Sequence, residues 1–403
     1  MRTTIRRHHV ALVSALVLAL VPGCSALAPA TSAQGAGAKA VAASGTVAAP
    51  PAATIAVSPA DGTTKVRPDS PVMVTASGGT LGQVTLTDDE GASIKGDLAA
   101  DQASWTSSGP LSLKATYTVQ ASATNADGHP TEVTSTLQTL TPTDSADYFL
   151  LPSGNGEVGV GMPVVVQFAG LVDEDKQDDI ERLVSVTTSP QVDGAWGWLD
   201  ARQLIWRPAE YWAPGTQVSV AADIAGVEIR PGIWTIRNAS TTFRVGSTMI
   251  STVDVKAHTM TVRRGGKVIR TIPVTTGKKG FETRRGTKVI ISRESSRQMD
   301  AETTGLSKSD PEYYNVEVKY AMRLTWSGEF IHSAPWSVGS QGRDNVSHGC
   351  TGMSPANAKW LFDQSKMGDL VTYVGASRGL EPYNGYTMWN MPLTEWAKQS
   401  ALV

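Results

Sequence analysis

The stretch FIHSAPWSVGSQGRDNVSHGCTGMSPANAKWLF, residues 330–362, concentrates the rare reactive side chains of this chain. It contains two of the six histidines and one of only two cysteines, namely His332, His348 and Cys350. A cysteine attacks as a thiolate, and a nearby histidine can take its proton. His332 ends an apolar strand-like run, and Gly349 lets backbone N–H groups approach a substrate oxygen closely. These residues alone favour a catalytic Cys/His pair.

Two other interpretations of this stretch stay open from the residues alone. A zinc site would find only three good ligands here, and the chain has no C-x-x-C pair. The cysteine could instead be structural, buried beside a helix. The pattern predicts that helix over 354–366, with Ser354 as N-cap and Pro355 as the first helical residue. Its positive end would then lie near the sulfur and, together with a protonated His332, would lower the pKa of the thiol.

The composition and the N-terminal segment restrict where the chain works. Charged residues make up 18% of the 403 residues and the formal net charge is −2, which argues against a nucleic-acid partner. Three arginines precede an apolar run over 10–21, which is shorter than the roughly 20 residues that span a bilayer. The run ends in LVPGCS, which resembles the lipobox of bacterial lipoproteins. We therefore expect a signal peptide over 1–23, a lipid on Cys24 that holds the chain on the membrane, and a flexible linker over 24–53; an ordinary secretory signal is the alternative.

Short β-rich runs separated by turn residues follow the linker and predict β-sandwiches. VRPDSPVMV at 66–74 resembles VGVGMPVVV at 158–166, and SWTSSGPLSLKATYTV at 104–119 resembles IWRPAEYWAPGTQVSV at 205–220. Two such pairs at similar places predict a tandem repeat. Each unit resembles a bacterial Ig-like domain, without the disulfide of antibody domains.

The predicted fold class is mainly β: two Ig-like β-sandwich domains, at 54–141 and 142–248, precede a mostly-β catalytic domain at 249–375. Alternating runs around RRGGK in that third unit are typical of a hairpin. One or two helices and a short C-terminal subdomain at 376–403 complete the chain. The subdomain contains MPLTEWAKQ, a predicted helix, with Trp389 and Trp396 available for packing.

The motifs HSAPW and SHGC, separated by SVGSQGRDNV, closely resemble the L,D-transpeptidase catalytic domain of the YkuD type. VDVKAHTMTVRRGGKVIRTIPVTTGKKGFETRRGT resembles the opening of the same domain, and the resemblance covers about 249–375. It implies an exported enzyme of actinobacterial type that forms 3→3 cross-links between peptidoglycan stem peptides through an acyl-enzyme, without a metal or organic cofactor. It also implies that carbapenem β-lactams acylate the nucleophile.

The resemblance implies a role for each matching residue. Cys350 is the expected nucleophile, and His332 is the expected base, held by Ser333. The backbone N–H groups of His348, Gly349 and Cys350 would form the oxyanion hole. The residues expected on the substrate side are Met299, Tyr314, Trp336, Ser347 and Thr351.

The chain departs from the family pattern directly after the nucleophile. Family members commonly carry an apolar residue and an asparagine after SHGC, where this chain has Thr351 and Gly352. The missing amide puts the donor specificity in doubt. Water as acceptor would make the enzyme an L,D-carboxypeptidase, and a protein amine would make it an anchoring enzyme. A wall-binding module with an inactive catalytic domain is opposed by the intact Cys350 and His332, and a papain-like peptidase by the absence of a downstream histidine.

Overall fold

The computed structural model describes residues 51–403. The expected signal peptide, Cys24 and most of the expected linker lie outside the described residues. Within 51–403, no helix is both long enough and apolar enough to cross a membrane.

The first unit is a sandwich of two sheets around one apolar core. Its strands are β1 (Thr54–Ser58), β2 (Thr63–Val66), β3 (Met73–Ser77), β4 (Gly79–Asp88), β5 (Ser93–Ile94), β6 (Gly96–Leu98), β7 (Ser104–Ser107), β8 (Thr116–Asn125) and β9 (Pro130–Thr139). One sheet has the order β1-β3-β7-β6 and the other β2-β9-β8-β4-β5. Along β8 every second side chain is buried, from Tyr117 to Asn125, as expected for a strand with one face on the core.

The second unit repeats this arrangement. Its strands are β10 (Asp144–Ala146), β11 (Tyr148–Leu151), β12 (Glu157–Val158), β13 (Val164–Phe168), β14 (Val184–Ser189), β15 (Gly194–Asp200), β16 (Gln203–Pro208), β17 (Gln217–Ala222), β18 (Glu228–Arg230), β19 (Ile233–Thr235) and β20 (Ala239–Val245). The sheets β11-β13-β16-β15 and β12-β20-β17-β14 match those of the first unit, and β10-β19-β18 is added. In both units one edge strand pairs in parallel, β2 with β9 and β12 with β20. The repeat predicted from the sequence is therefore present in the strand order.

The third unit holds two more sheets. Its strands are β21 (Met249–Asp254), β22 (Thr259–Arg264), β23 (Lys267–Pro273), β24 (Gly286–Val289), β25 (Ser292–Asp300), β26 (Asn315–Arg323), β27 (Phe330–Ser333), β28 (Thr351–Met353) and β29 (Leu370–Val374). The sheets have the orders β23-β22-β21-β29-β24 and β25-β26-β27-β28. Gly265 and Gly266 join β22 to β23 with φ values of 54° and 78°, conformations that glycine adopts without strain. The predicted hairpin is confirmed.

Within residues 51–403, three short α-helices accompany the sheets. They are α1 (Gln177–Arg182), α2 (Pro355–Gln364) and α3 (Leu393–Ala397), and single 3-10 turns occupy Glu174–Lys176, Ala301–Thr304, Pro335–Ser337 and Met388–Asn390. The Ser354 hydroxyl accepts a hydrogen bond from the Asn357 N–H at 3.3 Å, so this residue caps α2 as predicted. The helix ends two residues before the predicted 366.

The C-terminal segment joins the third unit to the second. Trp396 is completely buried, and its indole N–H donates to the Ala195 carbonyl at 3.2 Å. The Trp389 indole donates to the Gly161 carbonyl at 2.8 Å. One apolar cluster contains Trp396, side chains of the second unit, and Leu370 of β29. The predicted packing of both tryptophans is confirmed, and the two units share a core.

Candidate active site

A cavity of about 400 Å³ opens beside the sheet that carries the reactive stretch. His332 and Cys350 both line it. The remaining wall residues are Thr275, Met299, Tyr314, Val316, Val318, Ala334, Trp336, Ser337, Val346, Ser347, His348 and Gly352. Most of the exposed wall surface is apolar, and the two reactive groups are among its polar side chains, as is usual for a small-molecule site.

Strand pairing brings the cysteine and the histidine together. β27 and β28 run parallel, with His332 opposite Gly352. In-register residues on neighbouring strands point to the same face, and so do residues two apart in an extended chain. Cys350 directly precedes β28, so this pairing brings it near His332 although eighteen positions separate the two in the chain, and both line the cavity.

A tight turn over 347–350, the catalytic turn, presents the cysteine. Gly349 has a φ of 117°, which side-chain-bearing residues rarely adopt. The Ser347 hydroxyl donates to the Cys350 carbonyl at 2.6 Å and accepts from the Gly349 N–H at 3.1 Å. Ser347 lines the cavity as expected, but its hydroxyl closes the turn and is not free for substrate.

The hydrogen bond of His332 defines which ring nitrogen can act as a base. Its Nδ1 lies 2.9 Å from the backbone carbonyl of Ser333, an acceptor, so Nδ1 carries the proton. In the neutral ring Nε2 is then unprotonated and able to accept a proton. Burial lowers the pKa of His332, and the Ser333 carbonyl opposes that effect. Ser333 thus contacts the ring through its main-chain carbonyl.

The electrostatics of the thiol differ from the sequence prediction. Cys350 is partly exposed to the cavity, yet the surrounding protein encloses the sulfur, and burial raises the pKa of the thiol to about 12. The Phe330 N–H opposes this effect. The predicted helix end is not beside the sulfur, because β28 lies between Cys350 and α2. The pKa of the thiol is therefore shifted in the direction opposite to the sequence prediction, in which the helix end and a protonated His332 lower it.

Two of the three N–H groups expected in the oxyanion hole remain available. Among the described residues, the backbone N–H groups of His348 and Cys350 have no hydrogen-bond acceptor. The Gly349 N–H donates to the Ser347 hydroxyl instead. The expected three-donor hole is thus reduced to two donors in this conformation.

His348 has a different environment from His332. Its Nε2 lies 2.7 Å from a carboxylate oxygen of Glu312, which also accepts from the Lys278 ammonium at 2.5 Å. The rings of Phe281 and Tyr314 both contact the imidazole, at centroid distances of 4.6 and 5.0 Å. With Nε2 bonded to Glu312, His348 ties the catalytic turn to the segment before β26.

The expected substrate-side residues divide into two groups. Met299 near the end of β25 and Tyr314 just before β26 line the cavity, and Trp336 stands at its mouth with 60% of its surface exposed. Thr351 does not reach the cavity. It is 1% exposed, and its hydroxyl lies 2.6 Å from that of Tyr373. We therefore correct its assignment to a buried structural residue.

Gly352 is confined by its neighbours. A Cβ added there would lie 2.9 Å from the Cβ of Ala334 and 3.1 Å from Cγ2 of Thr275, and its φ is outside the left-handed region. The absence of a side chain is thus required by close packing of the cavity wall.

A buried charge cluster near the catalytic turn was missed in the sequence. The Lys288 ammonium lies 2.5 Å from Glu329, and both side chains are nearly fully buried. Arg284 donates to the same carboxylate. Single charged residues in the apolar runs GTKVII and GEFIHS were the only signal of this cluster in the sequence.

Among residues 51–403, no group of three or more potential metal-ligating side chains is found, so the zinc interpretation gains no support there.

Comparisons with known proteins agree with the two kinds of domain. Residues 63–228 match the family model of the bacterial Ig domain, and residues 248–372 match that of the L,D-transpeptidase catalytic domain. L,D-transpeptidase 2 of Mycobacterium tuberculosis is 37% identical over 85% of this chain and 83% of its own length. L,D-transpeptidase 5 of the same species is 30% identical over 88% of this chain and 78% of its own length.

A solved structure of the L,D-transpeptidase LdtMt1, in complex with imipenem, covers 58% of this chain and 100% of its own at 36% identity, with a TM-score of 0.49. L,D-transpeptidases 2 and 5 of Mycobacterium tuberculosis each align with most of this chain, so the alignments include its Ig-like and its catalytic parts. The chain belongs to the L,D-transpeptidase family.

Proposed function

We propose that Cys350 is the nucleophile of this L,D-transpeptidase and that His332 is its general base. The observation that carries this assignment is the fixed tautomer of His332, whose unprotonated Nε2 belongs to a ring that lines the same cavity as the thiol. A thiol with a raised pKa needs such a base at the moment of attack.

The reaction follows from these positions. The Cys350 sulfur attacks the carbonyl of the third stem residue, a diaminopimelate in the family, while its proton moves to Nε2 of His332. The oxyanion that forms is stabilised by the N–H groups of His348 and Cys350. As the C–N bond breaks, Nε2 returns the proton to the leaving amine of the terminal D-Ala, and a thioester remains on Cys350.

An amine from a neighbouring stem then attacks the thioester and gives up a proton to Nε2, and the thiol is regenerated with a 3→3 cross-link formed. Purified full-length protein in detergent, incubated with disaccharide tetrapeptides, should release D-Ala and yield 3→3 linked dimers. Cys350→Ala should abolish both products. Tripeptides without dimers would show that water is the acceptor and that the enzyme is an L,D-carboxypeptidase.

We propose that carbapenems acylate this enzyme, since LdtMt1 has been solved in complex with imipenem. Intact-mass analysis after incubation with imipenem should show one adduct, and peptide mapping should place it on Cys350. An adduct that persists in Cys350→Ala would contradict the assignment. Ser347→Ala should still form the adduct on Cys350, but at a reduced rate. The Ser347 hydroxyl supports the turn and takes no part in the bond that forms.

L,D-transpeptidases act on peptidoglycan, so the enzyme works outside the cytoplasm. We propose in addition that a lipid on Cys24 holds it at the outer face of the membrane, an inference supported by the LVPGCS motif. Stable attachment needs two or more acyl chains. Mass spectrometry of the mature protein should find Cys24 at the N-terminus with the corresponding lipid mass, and a different, lipid-free N-terminus would exclude the anchor.

We propose that the units at 54–141 and 142–248 form a stalk that carries the catalytic unit, at 249–375, away from the membrane, with 376–403 as a subdomain. The repeated strand order supports the first two boundaries. Limited proteolysis should cut first between the two sandwiches, near 141–143. An early cut near 248 would contradict this division, because the second and third units share a core.

A further inference from the structure

Two oppositely charged side chains are buried near the catalytic turn and have no part in the steps above. Lys288 on β24 is 1% exposed and Glu329 is 4% exposed. The ammonium lies 2.5 Å from one carboxylate oxygen, while the other oxygen accepts from the Arg284 backbone N–H at 2.9 Å and from its guanidinium at 3.2 Å. Burying charges is costly, and replacing such a pair by apolar groups is often neutral or stabilising. A contribution to the stability of the fold therefore does not by itself explain why these two charges are buried.

The pair lies directly against the backbone that holds the nucleophile. Glu329 is flanked in the chain by Gly328, whose carbonyl accepts from the Cys350 sulfur at 3.6 Å. Its carboxylate oxygen is 4.0 Å from the position that a Cβ on Gly349 would take. The carboxylate therefore lies close to the backbone next to Cys350, and the Lys288 ammonium is bonded to that carboxylate.

Lys288 approaches the same segment from β24. Its ammonium is 3.9 Å from the centroid of the Tyr373 ring, a contact that stabilises a cation. The Tyr373 hydroxyl in turn lies 2.6 Å from that of Thr351, the residue after the nucleophile. Charges in such a buried setting interact with one another more strongly than in water.

We propose that the buried Lys288–Glu329 pair tunes the charge at Cys350: the ammonium favours the thiolate that forms during attack, and the carboxylate restrains that effect while holding the ammonium in place. Both are positioning residues that act through the field at the sulfur. The effects on the pKa of the Cys350 thiol have the directions that this proposal requires, since Lys288 lowers that pKa and Glu329 raises it. Arg323, stacked on the Phe330 ring, adds a further lowering effect. The proposal rests on the role assigned to Cys350.

The signs of the two effects provide the test. We would prepare the full-length protein, Lys288→Met, Glu329→Gln and the double variant Lys288→Met/Glu329→Gln, and measure alkylation of Cys350 by iodoacetamide at fixed pH 8. Peptide mapping separates Cys350 from Cys24. Below the thiol inflection the rate follows the thiolate fraction, partly offset by the lower nucleophilicity of a more acidic thiol.

Lys288→Met should slow alkylation about 3- to 10-fold and Glu329→Gln should accelerate it by a similar factor. The double variant should return to within about twofold of the original protein. A purely structural role predicts slowing in both single variants, so slowing or no change in Glu329→Gln would overturn the proposal. Urea unfolding of each variant verifies the fold. If Lys288→Met does not fold, Glu329→Gln must still react faster than the double variant, and equal rates would overturn the proposal.

This experiment also separates the proposal from the assigned function. Alkylation reports the thiol alone and needs no stem peptide. Failure of 3→3 dimer formation would count against the acceptor chemistry, whereas loss of the opposite signs would count against the charge pair.

Discussion

Gly352→Asn introduces the asparagine that the family resemblance led us to expect at this position, and we expect it to damage this enzyme. The new Cβ would lie 2.9 Å from the Ala334 Cβ. Carbon atoms pack best at about 3.5–4.0 Å, so the two groups must separate by about 0.6–1.1 Å. Overpacking of this kind costs about 1–3 kcal/mol of stability. The cause is crowding and not backbone strain, because Gly352 lies outside the left-handed region.

The same displacement reaches the base. Gly352 is paired with His332 across the two strands, and Ala334 follows His332 by two residues. A shift on the order of 1 Å in a catalytic group can cost about 100-fold in rate. Gly352→Ala, which adds only the Cβ, should already lower both the urea midpoint and the rate of acylation by imipenem. Gly352→Asn should be at least as severe.

The control for this prediction is the double variant Gly352→Ala/Ala334→Gly. It removes the opposing methyl group and should recover at least half of the lost acylation rate, although Thr275 still lies 3.1 Å from the new Cβ. If Gly352→Ala matched the original protein in both midpoint and rate, the packing argument would be wrong. The position would then have room for the asparagine side chain, and Gly352→Asn should change the preference for the donor stem peptide without destabilising the protein.

Other outcomes follow from the buried groups. His332→Ala should slow acylation by about 10²–10⁴-fold, whereas His348→Ala should cost clearly less because its ring bonds Glu312; equal losses would contradict the assignment. Burial raises the pKa of Asp369 from 3.8 to about 7, so the folded state binds the extra proton and the free energy of unfolding falls as pH rises from about 4 to about 7. Asp369→Asn should flatten that dependence and stabilise the protein at pH 8 by on the order of 2–4 kcal/mol in urea unfolding; an unchanged pH profile would exclude this. Trp396→Ala should cost about 3–5 kcal/mol in the same assay, and a loss below about 1 kcal/mol would mean that the shared core is not essential.

The features that the sequence predicted were those with a local or repeated signal. The hairpin at Gly265–Gly266 and the cap at Ser354 depend on neighbouring residues, and both are present. The tandem sandwiches were visible because two sets of segments repeat. The joint motif singled out His332 and Cys350, and the structure places both residues in the wall of one cavity.

The features that escaped prediction depend on contacts between distant segments. The three residues of β28 are too few for a pattern, and they move α2 away from Cys350. Burial of the sulfur, which sets the direction of its pKa, comes from several segments at once. Lys288 and Glu329 are forty-one positions apart, and no periodicity relates them. Thr351 was placed on the substrate side by adjacency to the nucleophile, although its side chain points into the core.

The shared core between the second and third units has a consequence for how this architecture can vary. The first sandwich has its own apolar cluster, so it can be removed or duplicated as a module without opening the catalytic core. The second sandwich cannot be removed in this way, because its removal would expose Trp396 and Leu370 to water. Changes in the length of the described stalk are therefore confined to the first sandwich, while the distance from the second sandwich to Cys350 stays fixed.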